Sequence, residues 1–175
     1  RTRKRRERGL SAITWCINAN TSGFELDHHN VFFATDYERE FTTIFKSRSV
    51  CNEPTVYVCA QDRVNGKLST EGKERLLLLI NAPADGDHGA WTRSKLDQQR
   101  RNALDVLSRG GLNLAFSEKD CVTTCPDNWH QRFPGSGGSL YGAVSHGMFS
   151  SFTRPSSASR VKGLYLAGGS AHPGP

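Results

Sequence analysis

No run of apolar residues in this chain approaches the roughly 20 that a membrane-spanning helix requires, and the first residues carry charge where a signal peptide would carry an apolar segment. Any membrane contact is therefore expected to be peripheral. Five cysteines, an odd number without framework spacing, argue against a secreted disulfide scaffold and fit a reducing compartment. Cys121 and Cys125 lie four apart, but no second pair or histidine cluster completes a zinc set, so no metal site is expected. Absent too is any Gly-x-Gly-x-x-Gly turn, the usual cradle for a dinucleotide pyrophosphate. The glycines at 135, 137, 138 and 142 are followed by no Lys-Ser or Lys-Thr, which excludes a phosphate loop of the ATP-binding kind.

The net charge of +6 invites a nucleic-acid reading. Arg1, Arg3, Lys4, Arg5, Arg6 and Arg8, set against Glu7, account for +5 of it, and the remainder is nearly neutral. Such a run reads as a solvated tail or linker over 1–10, with anionic headgroups as a second partner class. A nucleic-acid reader needs basic residues spread over a folded face with aromatics between them, and none follows Gly9, so no nucleic-acid partner is expected. A chain of 175 residues can bury roughly 70% of its unfolded surface. Position 1 is not Met, and the chain stops at Pro175 directly after His172-Pro173-Gly174, so it reads as an internal piece of a longer protein.

Ile13, Trp15, Ile17 and Ala19 alternate with Thr14, Cys16 and Asn18, the period of a two-faced strand. A second strand is expected at 26–33, beside the first because the connection is short. Thr35 and Glu38 have capping-box spacing, and Tyr37, Phe41, Ile44 and Phe45 recur at helical spacing, which predicts a helix ending before Pro54. Residues 55–61 alternate again, and 75–81 form a continuous apolar run, so both are read as central strands joined through the Asn65-Gly66 turn, with a mobile polar tip. Residues 93–109 carry Leu96, Ala103, Leu104 and Leu107 on one stripe, and Gly110-Gly111 stops them. A short strand at 121–124 and a short helix at 126–133 follow, the helix with Pro126 at its first position.

The most informative stretch is the last. Leu164, Tyr165, Leu166 and Ala167 have the composition of a buried strand; Gly168-Gly169 permits a tight turn close to a ligand, and His172-Pro173-Gly174 stiffens the next turn. This order resembles the carboxy-terminal signature of the FAD-dependent carotenoid desaturases, the bacterial phytoene desaturase family. Further motifs at 10–15, 21–24, 29–33, 54–63, 81–83 and 138–142 extend the resemblance over nearly the whole chain. Within the family the chain is most similar to the hydroxycarotenoid 3,4-desaturases.

The resemblance implies an α/β (α+β) fold: a mixed β-sheet substrate domain with flanking helices at 11–133, and 134–175 returning to a Rossmann-like FAD domain whose amino-terminal dinucleotide unit is absent. It implies FAD as cofactor, with Gly168, Gly169, His172, Pro173 and Gly174 in contact with it. The catalytic residue stays unknown, because a flavin itself accepts the hydride; His172 is the one candidate. The implied substrate is a long hydrophobic polyene, an acyclic hydroxy- or methoxy-carotenoid, lined by Tyr141, Trp15 and Phe24. Trp15, Phe24, Phe32, Phe33 and Tyr57 suit such a polyene, and they equally suit a plain core. Asp62-Arg63 either holds a domain junction by an ion pair or binds a substrate oxygen, and His146 reads as structural. The implied place is cytoplasmic, peripheral to the inner photosynthetic membrane of a bacterium, with an unknown electron acceptor. Alternatives on the same scaffold are phytoene desaturation, carotenoid isomerisation and retinol saturation; the alternative outside enzymes is a small basic binder of nucleic acid or anionic surfaces.

Overall fold

The computed structural model describes residues 4–65, 67–68, 72–89, 91–142, 155–168 and 171. Among them the elements run in chain order as β1 (Ser11–Ser22), β2 (His29–Phe32), α1 (Tyr37–Thr42), β3 (Val56–Ala60), β4 (Arg63–Val64), β5 (Lys67–Leu68), β6 (Glu74–Ala82), α2 (Arg93–Arg109), β7 (Asn113–Ala115), β8 (Cys121–Thr124) and α3 (Pro126–Arg132). The main sheet has the order β2-β3-β6-β1, with β8 and β7 taking successive stretches of β1; β4 and β5 form a separate small hairpin.

Alternation in β1 decides which residues the sheet buries. Ile13, Trp15, Ile17 and Ala19 are buried, whereas Cys16, Asn18 and Asn20 are exposed. Register extends that choice across the sheet, because residues directly opposite share a face. Ile13 faces Ile80 and then Val56, Trp15 faces Leu78 and then Val58, and Ile17 faces Leu76 and then Ala60. Ala103, Val106 and Leu107 of α2 belong to the same core cluster. Burying each large side chain there contributes about 1.5–3 kcal/mol.

The helix α2 has the bounds read from the sequence. Thr92 caps its start by accepting from the Lys95 amide, and Gly110 follows its last turn. Below it, α1 docks through a buried acid: the Glu40 carboxylate accepts from the Thr55 amide at 3.0 Å and from Asn81 Nδ2 at 3.1 Å. That side chain ties the helix to the starts and ends of the neighbouring strands.

Four expectations change. Every pairing among the described residues is antiparallel, so the sheet is not mixed and the architecture is α+β. The strand expected at 26–33 shortens to β2 and pairs β3, since β6 and the β8–β7 stretch already occupy β1. Thr35 does not cap α1; Asp36 accepts from the Arg39 amide, while Thr35 bonds Glu53, and α1 gives way at Thr43–Ser47 to a π-helical turn. Finally, Arg5 and Arg8 are not a free tail, although Arg5 stays exposed. They are ion-paired to Asp85 and Asp87, and Arg8 is only 4% exposed. The polar stretch expected to carry a mobile tip holds the β4–β5 hairpin, with 66 and 69–71 outside the described residues.

Candidate functional site

Two places on the molecule bear on function: the point where the chain enters and leaves the sheet unit, and the sheet face that α2 does not cover. At the first, the Gly9 amide donates to the Gly142 carbonyl at 2.8 Å and the Leu140 amide to the Leu10 carbonyl at 3.0 Å, so 9–10 and 140–142 run side by side. Arg8 locks this crossing, donating to both carboxylate oxygens of Asp87 at 2.7 and 2.6 Å and to the Ala84 carbonyl at 3.0 Å. The bond from Arg8 draws the Asp87 carboxyl down to about 2. Gly137, at φ +63°, packs against this guanidinium, and any side chain there would collide with it. Gly138 is crowded likewise, by the Pro126 carbonyl, so Gly137 and Gly138 serve close packing.

The second place is the open face of the sheet. In register, Thr124, Thr14, Leu79, Tyr57 and Val31 form one row; Val122, Cys16, Leu77, Cys59 and His29 form the next. Val31 is 48% and Val122 64% exposed, and Cys16 is exposed as well, while Leu77, Leu79 and Tyr57 are half-buried. Polar Asn18 and Arg75 flank the rows at one end and Asn81 at the other. A sheet face with two adjacent rows of this composition is an apolar contact surface rimmed by polar groups.

Ion pairs brace this end of the sheet. Glu74, buried at the start of β6, accepts from Arg63 Nη2 at 2.8 Å and Nε at 2.9 Å, and from the Thr21 hydroxyl at 2.5 Å. Burial opposes ionisation of Glu74, yet the bonds from Arg63 and Thr21 outweigh it and hold the carboxyl below the usual range. Asp62 accepts from the Arg75 amide and guanidinium, which holds its carboxyl low too. Both residues of the Asp62-Arg63 pair are therefore bonded within the sheet unit. Elsewhere, burial pushes the Cys125 thiol and the Asp127 carboxyl up.

The residues singled out from the sequence separate into three groups. Trp15 is fully buried in the α2-side core, so it lines no open surface; its position in the alternation with Ile13 and Ile17 fixes that. Phe24 and Tyr141 are exposed, Phe24 edge-on to Phe32 with ring centroids 5.1 Å apart. Gly169, His172, Pro173 and Gly174 lie outside the described residues, as does His146. Gly168 has φ +129°, a conformation open to glycine, with no neighbour near the position a Cβ would take. The strand expected before it is not buried: Leu164, Tyr165 and Leu166 are exposed, and Tyr165 makes a lone bridge to Ala158. A strand apolar on both faces needs neighbours on both edges, and the described residues offer it one. Leu77, Leu79, Val31 and Val122 were not singled out, although the unbroken apolar run in β6 carried the signal.

No protein-family model matches the chain. Curated proteins do. The chain is 49% identical over 168 residues to hydroxyneurosporene desaturase of Rubrivivax gelatinosus, covering 96% of this chain and 32% of that relative. It is 39% identical over 168 residues to hydroxyneurosporene desaturase of Cereibacter sphaeroides, covering 95% and 33%. It is 31% identical over 173 residues to 1-hydroxycarotenoid 3,4-desaturase of a Flavobacterium, covering 97% and 35%. The chain spans about a third of the length of the curated relatives it matches. Identity of this order over nearly the whole chain makes it part of a member of the carotenoid desaturase family.

Proposed function

We propose that the chain is the substrate-facing portion of an FAD-dependent oxidoreductase that desaturates acyclic hydroxy- or methoxy-carotenoids at C3,4. The reaction is read from the relatives' names, and the higher identity to hydroxyneurosporene desaturases than to the phytoene desaturase of Fusarium fujikuroi, at 28%, favours this substrate over phytoene. The observation that carries this chain's own part is the open sheet face. A polyene offers no group for hydrogen bonding along most of its length, so its binding energy comes from apolar area, about 25 cal/mol per Å² removed from water. Leu77, Leu79, Tyr57, Val31 and Val122 supply such area on a rigid sheet.

FAD, when bound, supplies the hydride acceptor. Gly168, Gly169, His172, Pro173 and Gly174 are our contacts for it, and the open, positive-φ backbone at Gly168 fits the close approach of a ligand. Within the sheet unit the work of the chain is to orient the polyene and exclude water. Side-by-side entry and exit at 9–10 and 140–142 support reading 11–133 as a unit inserted into a larger fold, with 134–175 returning to the FAD domain. No helix among the described residues is long and apolar enough to cross a membrane. A hydrophobic substrate nevertheless calls for peripheral contact with the membrane that holds it.

The test is product analysis of the full-length enzyme in hosts accumulating different acyclic carotenoids. Conversion of hydroxylated acyclic carotenoids, with phytoene left untouched, is the expected result. Consumption of phytoene alone would overturn the branch assignment.

A further inference from the structure

At the β2–β3 edge of the sheet, one ligand atom each from His28, His29 and Cys59 lies within 4.8 Å of the other two. His29 and Cys59 are direct cross-strand partners and so share a face. His28 stands one residue earlier, its ring edge-on to His29 with centroids 4.5 Å apart. We propose that His28, His29 and Cys59 form a binding site for a borderline-soft divalent cation of the zinc class.

The hydrogen bonds around the three residues prepare them for that role. His28 Nδ1 lies 3.1 Å from the Arg63 carbonyl, which can only accept, so Nδ1 carries the proton and Nε2 presents its lone pair. Nε2 is 3.7 Å from Cys59 Sγ, close to the roughly 3.5 Å that separates nitrogen and sulfur ligands on tetrahedral zinc. A ligating histidine held by a backbone carbonyl through its other nitrogen is the usual outer arrangement of metal sites. Tyr57 supplies a second outer partner: its hydroxyl is 2.7 Å from His29 Nδ1. Accepting from His29 Nδ1, that hydroxyl leaves His29 Nε2 to ligate.

Imidazole and thiolate select zinc-like ions over magnesium or calcium, which require oxygen. Binding expels the Cys59 thiol proton to solvent, and three protein ligands leave a fourth position for water. Cys59 is buried and His29 is exposed, so the ion would enter from the His29 side. Its effect is to pin the start of β2, an outer strand of four residues, to β3. Nothing in this proposal depends on the desaturase reading.

The test is cobalt(II) titration of the reduced 175-residue chain, with a phosphine reductant that does not coordinate. The expected result is a near-ultraviolet sulfur-to-cobalt band with strong visible absorption of tetrahedral cobalt, saturating at one equivalent and displaced by zinc. Cys59→Ser, His28→Gln and His29→Gln should abolish it, Tyr57→Phe should weaken affinity by about tenfold, and Cys16→Ser should leave it intact. His29 is exposed, so His29→Gln reads the site even if Cys59→Ser fails to fold. Absence of the band at one equivalent, or its survival in His29→Gln, would overturn the proposal.

Discussion

Neighbouring leucines of β6 have opposite fates. Leu76 and Leu78 point into the core beneath α2 and are buried; Leu77 and Leu79, alternating with them, lie half-buried on the opposite face, where Val31 and Val122 are exposed and Thr14 and Cys59 are buried. A run apolar at every position is the pattern of a strand covered on both sides. In β1 the outward residues are Thr14, Cys16 and Asn18, so that strand alone would pass for one with a wet face. The difference teaches that one face of the sheet packs this chain's own core, while the other carries apolar residues left half-buried or exposed among the described residues.

Breaking the inner face should have the largest effect. Trp15→Ala empties the centre of the core and should cost about 3–5 kcal/mol, read by denaturant unfolding of the chain. A loss below about 1 kcal/mol would mean that the two faces are not distinct. Next comes the ion pair at the start of β6. Arg63→Met leaves the Glu74 carboxylate buried with Thr21 as its remaining partner and should cost about 3 kcal/mol; the double variant with Glu74→Leu should recover much of that loss.

Asp87→Asn addresses the chain crossing. Its carboxyl is held near 2 by Arg8, below the roughly 3.9 of a free aspartate, so the pair stabilises the fold fully above about pH 4 and fades as pH falls toward about 2. At pH 7 the variant should lose roughly 1 kcal/mol, a figure reduced for the partial exposure of Asp87. Chemical denaturation across pH should show the two proteins converging near pH 2. A constant gap at all pH values would deny the ion pair its role. The smallest effect on folding is expected at the open face, where Leu79→Ser should cost about 1 kcal/mol or less by the same assay, since little of its burial comes from this chain's core.

The sheet unit was largely legible from the residues. Alternation at 13–19, the stripe from Leu96 to Leu107 and Pro126 at a helix start each state a local period or a stop, and local rules suffice for them. Strand order was less so: β2 pairs β3 because both sides of β1 are taken, a fact about partners far along the chain. Arg5 and Arg8 read as solvated because Asp85 and Asp87, some 80 residues away in sequence, are invisible to a local reading. Trp15 and Phe24 stand out by aromatic character, and Tyr141 by the resemblance at 138–142. The open face is instead made by register, which places modest residues such as Leu77, Val31 and Val122 together. The cluster of His28, His29 and Cys59 escaped notice for the same reason, as its third member lies on another strand.

The central claim is that the uncovered face is where the polyene lies. Full-length enzyme carrying Leu77→Gln and Leu79→Gln tests it most directly, through KM for a hydroxylated acyclic carotenoid, flavin content and melting temperature measured together. The account predicts a KM raised by roughly tenfold or more, with flavin content and melting temperature close to the parent's. An unchanged KM with a lowered melting temperature would mean that the face is covered by protein and not by substrate, which would contradict it.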